Sequence, residues 1–245
     1  MIESTLQDDI AVIALNRPDK RNAMTPEMLV ELQRRIESLD DSTKAMVLVG
    51  NGKTFCAGFD LKMCADDPQG GTMRALLTEL SNSVALMRSQ PFPIVLGVHG
   101  AAVAGGCALL GGADIVVADK SAKLGYPVVK IGVSPAISAP YMLASIAPGA
   151  VRARLLDTEL ISAARAYEIG LVHELVDTAD AVKARCITIA QALASKPGTG
   201  VRETKAWLNT ITEPITANAQ TGLEVSLSLT GTDEERQRLQ ALWGN

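Results

Sequence analysis

The chain has 245 residues, 47% of them hydrophobic and 20% charged, which is enough material for one large core. Lys and Arg total 23 against 27 Asp and Glu, a formal net charge of −4, and no basic run is dense enough to neutralise a phosphate backbone, so nucleic acid is not an expected partner. Aromatics are few (3 Phe, 3 Tyr, 2 Trp) and glycines number 20, a composition suited to α/β layers packed closely through small side chains.

Met1 to Thr5 lacks the basic and then apolar order of a secretory signal. Cys56, Cys64, Cys107 and Cys186 form no C-x-x-C pair, so the chain reads as cytoplasmic, with free thiols and no metal site. Ile10 to Leu15 predicts a strand stopped by Asn16-Arg17-Pro18-Asp19. Thr25 as N-cap and Pro26 behind it open a helix in which Met28, Leu29, Leu32, Ile36 and Leu39 recur at helical spacing up to Asp40-Asp41. A strand over Ala45 to Val49 ends at Gly50-Asn51-Gly52. The turn-rich run from Asp66 to Gly71 is the expected mobile loop, and a helix covers Thr72 to Met87.

Pro91 and Pro93 lead into a strand over Ile94 to Val98, a Gly/Ala-rich turn and a helix from Gly105 to Leu110. Ile94 to Ala113 carries no formal charge and approaches the length of a membrane span, but its glycines mark a buried strand, turn and helix, and no membrane is expected. Asp114 to Ala118 is another strand, so the short strands and intervening helices predict parallel crossover units. Beyond residue 137 helices dominate, over Ile137 to Ile146, Ala150 to Leu156, Ser162 to Ile169 and Ala179 to Ala194, with a strand-like Leu171 to Val176 and two or three helices after Gly198. The expectation is an α/β core over residues 1–197 and a helical region over 198–245. There Gly222, Leu223, Leu227 and the charged tail from Asp233 to Arg238 look short of partners within one chain and suggest oligomer contacts.

Gly52-Lys53-Thr54 is no phosphate-binding loop, because Val47 stands where that motif needs glycine. Gly132-Val133-Ser134-Pro135-Ala136, with Asp157 and His173 following, approximates a serine-hydrolase nucleophile elbow. Pro135 opposes it, since it lacks the N–H which that fold uses after the serine. His99 and His173 are the only histidines and show no ligand spacing; His173 reads as a structural strand residue. Two segments stand out, Thr54-Phe55-Cys56-Ala57-Gly58-Phe59-Asp60-Leu61-Lys62 and the run from His99 to Ala108. Each follows a strand and opens towards a helix, where backbone N–H groups are unpaired and glycine lets a carbonyl approach. Two such loops converging would make an oxyanion hole.

Taken with Leu15-Asn16-Arg17-Pro18, Lys20-Arg21-Asn22-Ala23-Met24, Ala113-Asp114-Ile115-Val116-Val117-Ala118 and Ala163-Ala164-Arg165-Ala166 before Ile169-Gly170-Leu171-Val172, these loops resemble the crotonase family, the enoyl-CoA hydratase/isomerase superfamily, along nearly the whole chain. The resemblance implies an α/β fold of the ClpP/crotonase type, a spiral of ββα units with a C-terminal helical trimerisation region. It also implies an acyl-CoA substrate, no separate cofactor, a homotrimer or dimer of trimers, and a lyase or isomerase of fatty acid metabolism. The family's two oxyanion donors fall on the backbone N–H groups of Phe59 and Gly105. The backbone at Ala57 would meet the adenine, and Lys20 and Arg21 the CoA phosphates.

The chain departs from the family where hydratases keep two glutamates. Those positions fall on Ala108 and Val128, and a third carboxylate of some isomerases falls on Ala136. A methyl or isopropyl group transfers no proton, so any acid or base must come from elsewhere, with Asp60, His99, Tyr126 and Lys130 as candidates. Asp60 also reads as a helix cap. Met63, Met73, Leu77 and Met142 are candidates for the acyl pocket. Three functions stay open: an acyl-CoA enzyme with an oxyanion hole and a non-glutamate route, an acyl-CoA-binding homologue with little or no catalysis, and, remotely, a serine hydrolase using Ser134.

Overall fold

The computed structural model describes residues 1–212 and 215–243; residues 213, 214, 244 and 245 of the expected helical region lie outside them. Strand β1 (Ile2–Gln7) turns back antiparallel on β2 (Ile10–Leu15). Thr25 then caps α1 (Pro26–Glu37), its Oγ1 accepting the Met28 N–H at 3.2 Å, while Pro26 fills a position whose N–H would be unpaired anyway. After β3 (Ala45–Gly50) come the short α2 (Leu61–Ala65) and the long α3 (Gly71–Ser89). Strands β4 (Ile94–Val98) and β5 (Ala101–Val103) precede α4 (Gly105–Ala108), which tightens into a 3-10 turn over Leu109–Gly112.

Strands β6 (Ile115–Asp119) and β7 (Lys123–Gly125) continue through 3-10 turns at Pro127–Ile131 and Ala136–Ser138 into α5 (Ala139–Leu143) and α6 (Pro148–Leu156). The chain then forms β8 (Ile161–Ser162), α7 (Ala163–Glu168), β9 (Glu174–Val176) and α8 (Ala179–Ala194). It ends in α9 (Gly198–Ile211), α10 (Ile215–Ser228) and α11 (Asp233–Trp243).

The large sheet runs β1-β2-β3-β4-β6-β9, parallel at every step after the first. A second sheet, β5-β7-β8, is extended by a parallel bridge between Cys56 and Ala102. Successive passes of the chain therefore repeat one pattern: a strand in the large sheet, a strand or bridge in the small one, then helix. β3, Cys56 and α2–α3 make one such unit, β4, β5 and α4 the next, and β6 and β7 with the helices that follow a third. This is the ββα spiral of the crotonase fold.

Burial explains why the central strands are apolar without interruption. In β2, Ile10, Val12 and Ala14 pack with Val182, Cys186 and Ala190 of α8, whereas Ala11, Ile13 and Leu15 face the main core with α1 and α3. A parallel sheet covered on both faces needs apolar residues at every position.

The structure refines several sequence expectations. Asp66 to Gly71 is a hydrogen-bonded turn: Asp67 Oδ2 accepts the Thr72 N–H at 2.7 Å and the Thr72 hydroxyl at 3.0 Å, ahead of α3. Leu171 to Val176 yields a strand only over its last three residues, because Gly170 to Val172 completes the turn after α7. Ile137 to Ile146 divides between a 3-10 turn and α5. Leu223 does find partners in its own chain, since Ile215, Ala219 and Leu223 of α10 and Leu239 of α11 join the main core and Leu227 packs against it.

Helix α9 is fastened differently. Lys205 Nζ donates to Asp114 Oδ2 at 2.7 Å and to the Phe92 carbonyl at 2.8 Å, and Asp114 also accepts the Ile94 N–H. Burial lowers the Lys205 pKa, with Asp114 opposing that shift. No helix among the described residues is long and apolar enough to cross a membrane.

Candidate active site

The loop after β3 is stitched on both sides. Towards β5, the Cys56 N–H donates to the Ala101 carbonyl at 3.1 Å and the Val103 N–H to the Cys56 carbonyl at 3.0 Å. Towards the segment before α1, the Met24 N–H donates to the Gly58 carbonyl at 2.8 Å and the Asp60 N–H to the Met24 carbonyl at 2.9 Å. A parallel bridge of this kind uses the groups flanking Phe59 and directs the N–H of Phe59 itself to the opposite side. Gly58 makes the bend possible with φ 98°, a region that side-chain-bearing residues avoid.

Asp60 occupies the N-cap position of α2, but its carboxylate makes no capping bond and pairs instead with Arg17 at 2.8 Å. Arg17 Nη1 donates as well to the Ala23 carbonyl. Fully buried Asn22 donates to the Asn51 and Thr54 carbonyls and so ties together the two segments behind Phe59.

The second loop turns on Ala104, at φ 51° and ψ −115°. Its ψ is about half a turn from the value an L-residue prefers at positive φ, which reverses the peptide joining it to Gly105. Gly105 begins α4, where a helix has no internal acceptor for its N–H. Neither the Gly105 N–H nor the Phe59 N–H has an acceptor among the described residues. The loops touch: a Cβ added at Gly105 would lie 2.8 Å from Phe59 Cε1, and one at Gly106 would lie 2.7 Å from the Cys56 carbonyl oxygen.

Both residues border a cavity of about 260 Å³. Ala57, Ala108, Tyr126 and Val128 share its wall, and so do Lys130 and Ser134. Of the residues expected in the acyl pocket, Met73 and Leu77 line it and Met63 and Met142 do not. Sequence reasoning missed Leu61, Leu80, Val133 and Ile137. It also missed Leu242 of α11, which reaches the cavity from the far end of the chain with no local signal to announce it.

Titratable groups are scarce here. Among the described lining residues there is no Asp, Glu or His, and only Tyr126 and Lys130 can ionise. Burial pushes the Tyr126 hydroxyl well above its ordinary pKa, and it donates to the Cys107 carbonyl at 3.0 Å. Lys130 is 54% exposed and pairs with Glu159 at 3.0 Å.

The remaining candidates stand outside the wall. Asp60 is held by Arg17, His99 sits with Nε2 3.0 Å from the Gly52 carbonyl, and Ala136 backs onto Gly222 of α10. Lys20 and Arg21 are exposed, yet the Arg21 carbonyl accepts the Ala57 N–H at 3.0 Å and so lies beside the cavity rim. The serine-hydrolase constellation is not assembled. Asp157 pairs with Arg154 at 2.7 Å, and His173 Nδ1 accepts the Val116 N–H at 2.9 Å, so neither lines the cavity with Ser134.

Comparison with known proteins follows the same lines. The sequence profile of the family described as enoyl-CoA hydratase/isomerase matches residues 5–241. The chain is 32% identical over 232 residues to a 1,2-epoxyphenylacetyl-CoA isomerase of Escherichia coli, covering 91% of this chain and 87% of that protein. It is 31% identical over 233 residues to an enoyl-CoA hydratase of Mycobacterium tuberculosis, covering 89% and 85%.

Among solved structures, an enoyl-CoA hydratase/isomerase from Xanthobacter autotrophicus Py2 superposes with TM-score 0.90 at 28% identity, over 100% of this chain and 93% of that one. Another, from Mycobacterium paratuberculosis, gives TM-score 0.90 at 27% identity over 98% and 97%. Sequence, sheet order and whole-chain superposition coincide, and the chain belongs to the enoyl-CoA hydratase/isomerase family.

Proposed function

We propose that this protein binds an acyl-CoA thioester with its carbonyl oxygen between the N–H groups of Phe59 and Gly105, and stabilises an enolate or tetrahedral oxyanion by a route that does not use paired glutamates. The observation that carries this reading is two unpaired amides on touching loops, both bordering one apolar cavity. A thioester oxygen gathers negative charge as the reaction proceeds, and fixed dipoles in a water-poor chamber favour the transition state over the substrate.

With Ala108 and Val128 in the wall and no carboxylate among the described lining residues, the reactions that fit are those in which the substrate or water supplies the missing group: decarboxylation, thioester hydrolysis or an atypical addition. Coenzyme A enters as part of the substrate rather than as a separate cofactor. Its adenine would lie near the Ala57 backbone and its phosphates near Lys20 and Arg21. The protein would act in the cytoplasm as a homotrimer or dimer of trimers.

Crotonyl-, methylmalonyl- and aromatic acyl-CoAs, followed by thioester absorbance and free thiol, test the reaction. Gly105→Pro deletes one donor and should lower turnover about 100- to 1000-fold, as losing an oxyanion-hole donor does. Gly105→Ala is the steric control, because it crowds the same Phe59 ring while keeping the N–H. Undiminished turnover in folded Gly105→Pro rejects the site. A wall whose described residues include no Asp, Glu or His supports a second reading, an acyl-CoA-binding homologue with little catalysis; tight binding without turnover across the panel would select it.

A further inference from the structure

A second, smaller cavity of about 20 Å³ lies behind the first. Gly111, Val116, Met142 and Leu171 form part of its lining, and Ala108, Tyr126 and Ser138 line both cavities. The route between them starts at the Gly105 amide. Ala108 lies three residues further along α4, on the same face of the helix, and projects only a methyl group. Next comes the Tyr126 ring, 3% exposed and fixed at its tip, where its hydroxyl donates to the Cys107 carbonyl at 3.0 Å. An acyl chain with its carbonyl at Gly105 would pass Ala108 unhindered and end against that ring.

We propose that Tyr126 is the specificity-determining residue that sets the longest acyl group this protein accepts, by closing the passage from the substrate cavity into the smaller one behind it. The proposal rests on the acyl-CoA reading above. An apolar chamber of about 150 Å³ takes up a benzene ring, so this larger one suits apolar acyl groups of about the size of a phenyl ring or a medium straight chain. The ring is a wall rather than a participant, since its proton is committed to Cys107.

The test is calorimetric titration of the intact protein with saturated acyl-CoAs from acetyl to dodecanoyl, which needs no turnover. For the parent protein, affinity should rise with chain length and then fall at a ceiling. Tyr126→Phe keeps the ring and should keep the ceiling. Tyr126→Ala joins the cavities and should strengthen binding of the first excluded chain about tenfold, as burial of two further methylenes would.

A ceiling that stays put in folded Tyr126→Ala overturns the proposal. If Tyr126→Ala does not fold, Ala108→Leu plugs the same passage upstream: longer chains should be lost while acetyl-CoA still binds, and an unchanged length profile again overturns it. Failure to bind any acyl-CoA would reject the acyl-CoA reading itself and this proposal with it. Binding without a length ceiling would reject only the role of Tyr126.

Discussion

Ala104 holds a backbone conformation that glycine adopts freely and alanine does not, one residue before an amide at the cavity. Such residues cost about 1–3 kcal/mol and persist where surrounding contacts over-determine them. Here the Ala104 N–H donates to the Gly125 carbonyl at 2.8 Å, and α4 follows at once. Ala104→Gly should therefore raise stability by about 1 kcal/mol in denaturant unfolding, the relieved strain outweighing the backbone freedom that glycine brings to the unfolded chain. A lower midpoint would show that alanine is comfortable there.

Phe59 illustrates the other way to aim a dipole. No strain is needed at Phe59 itself, because the Met24 N–H donates to the Gly58 carbonyl and the Asp60 N–H to the Met24 carbonyl, which leaves the Phe59 N–H one direction, and the Arg17–Asp60 pair and buried Asn22 stiffen the frame behind it. Asp60 thus has a structural occupation in this geometry, whatever further part it takes.

Secondary elements were legible in the sequence where they were long enough to show a period. The spacing of Met28, Leu29, Leu32 and Ile36 gives α1 with its cap, and Ala179 to Ala194 coincides with α8. β5, β7 and β8 span three, three and two residues, too short for alternation to register, yet they form the second sheet that sets the Gly105 loop against Cys56. The two glycine-bearing loops of the candidate site could be read from local chemistry. Its apolar wall was legible only in part, as at Met73 and Leu77, since Leu80, Ile137 and Leu242 come from separate helices and turns and meet only after packing.

The turn before α3 yields a pH prediction. Hydrogen bonds from the Thr72 N–H and hydroxyl hold the Asp67 carboxyl below its ordinary pKa of 3.8. A group whose pKa is depressed by folding contributes stability that is fully present above the unfolded value and lost as pH falls through the folded one. Asp67→Ala should then melt below the parent protein at neutral pH, and the gap should narrow as the pH falls below 3.8 and the parent carboxylate takes up its proton. A gap independent of pH would assign the effect to packing instead.

At the scale of the whole molecule, the C-terminal helices divide into two kinds. α10 and α11 are part of the main core, whereas α9 is attached through the ion pair of buried Lys205 with half-buried Asp114 and leaves Trp207 63% and Ile211 55% exposed, with Leu208 beside them. Large apolar side chains grouped on one helix suit contact with another copy of the chain, in keeping with the proposed trimer. Trp207→Asp should lower the sedimenting mass at micromolar concentration while leaving the circular dichroism spectrum intact. Unaltered sedimentation would move the interface to another surface.

The Ser226 hydroxyl, fully buried in α10, donates to the carbonyl of Ser134, and Gly222 approaches so near to Ala136 that an added Cβ would lie 2.5 Å from its carbonyl oxygen. Ser134 belongs to the chamber wall. The last fifth of the polypeptide is consequently a buttress: were α10 to lift away, through truncation, a bulky residue at Gly222 or a proteolytic nick, the 134–138 segment would lose its backing and the chamber its shape, with every residue around the two amides still in place.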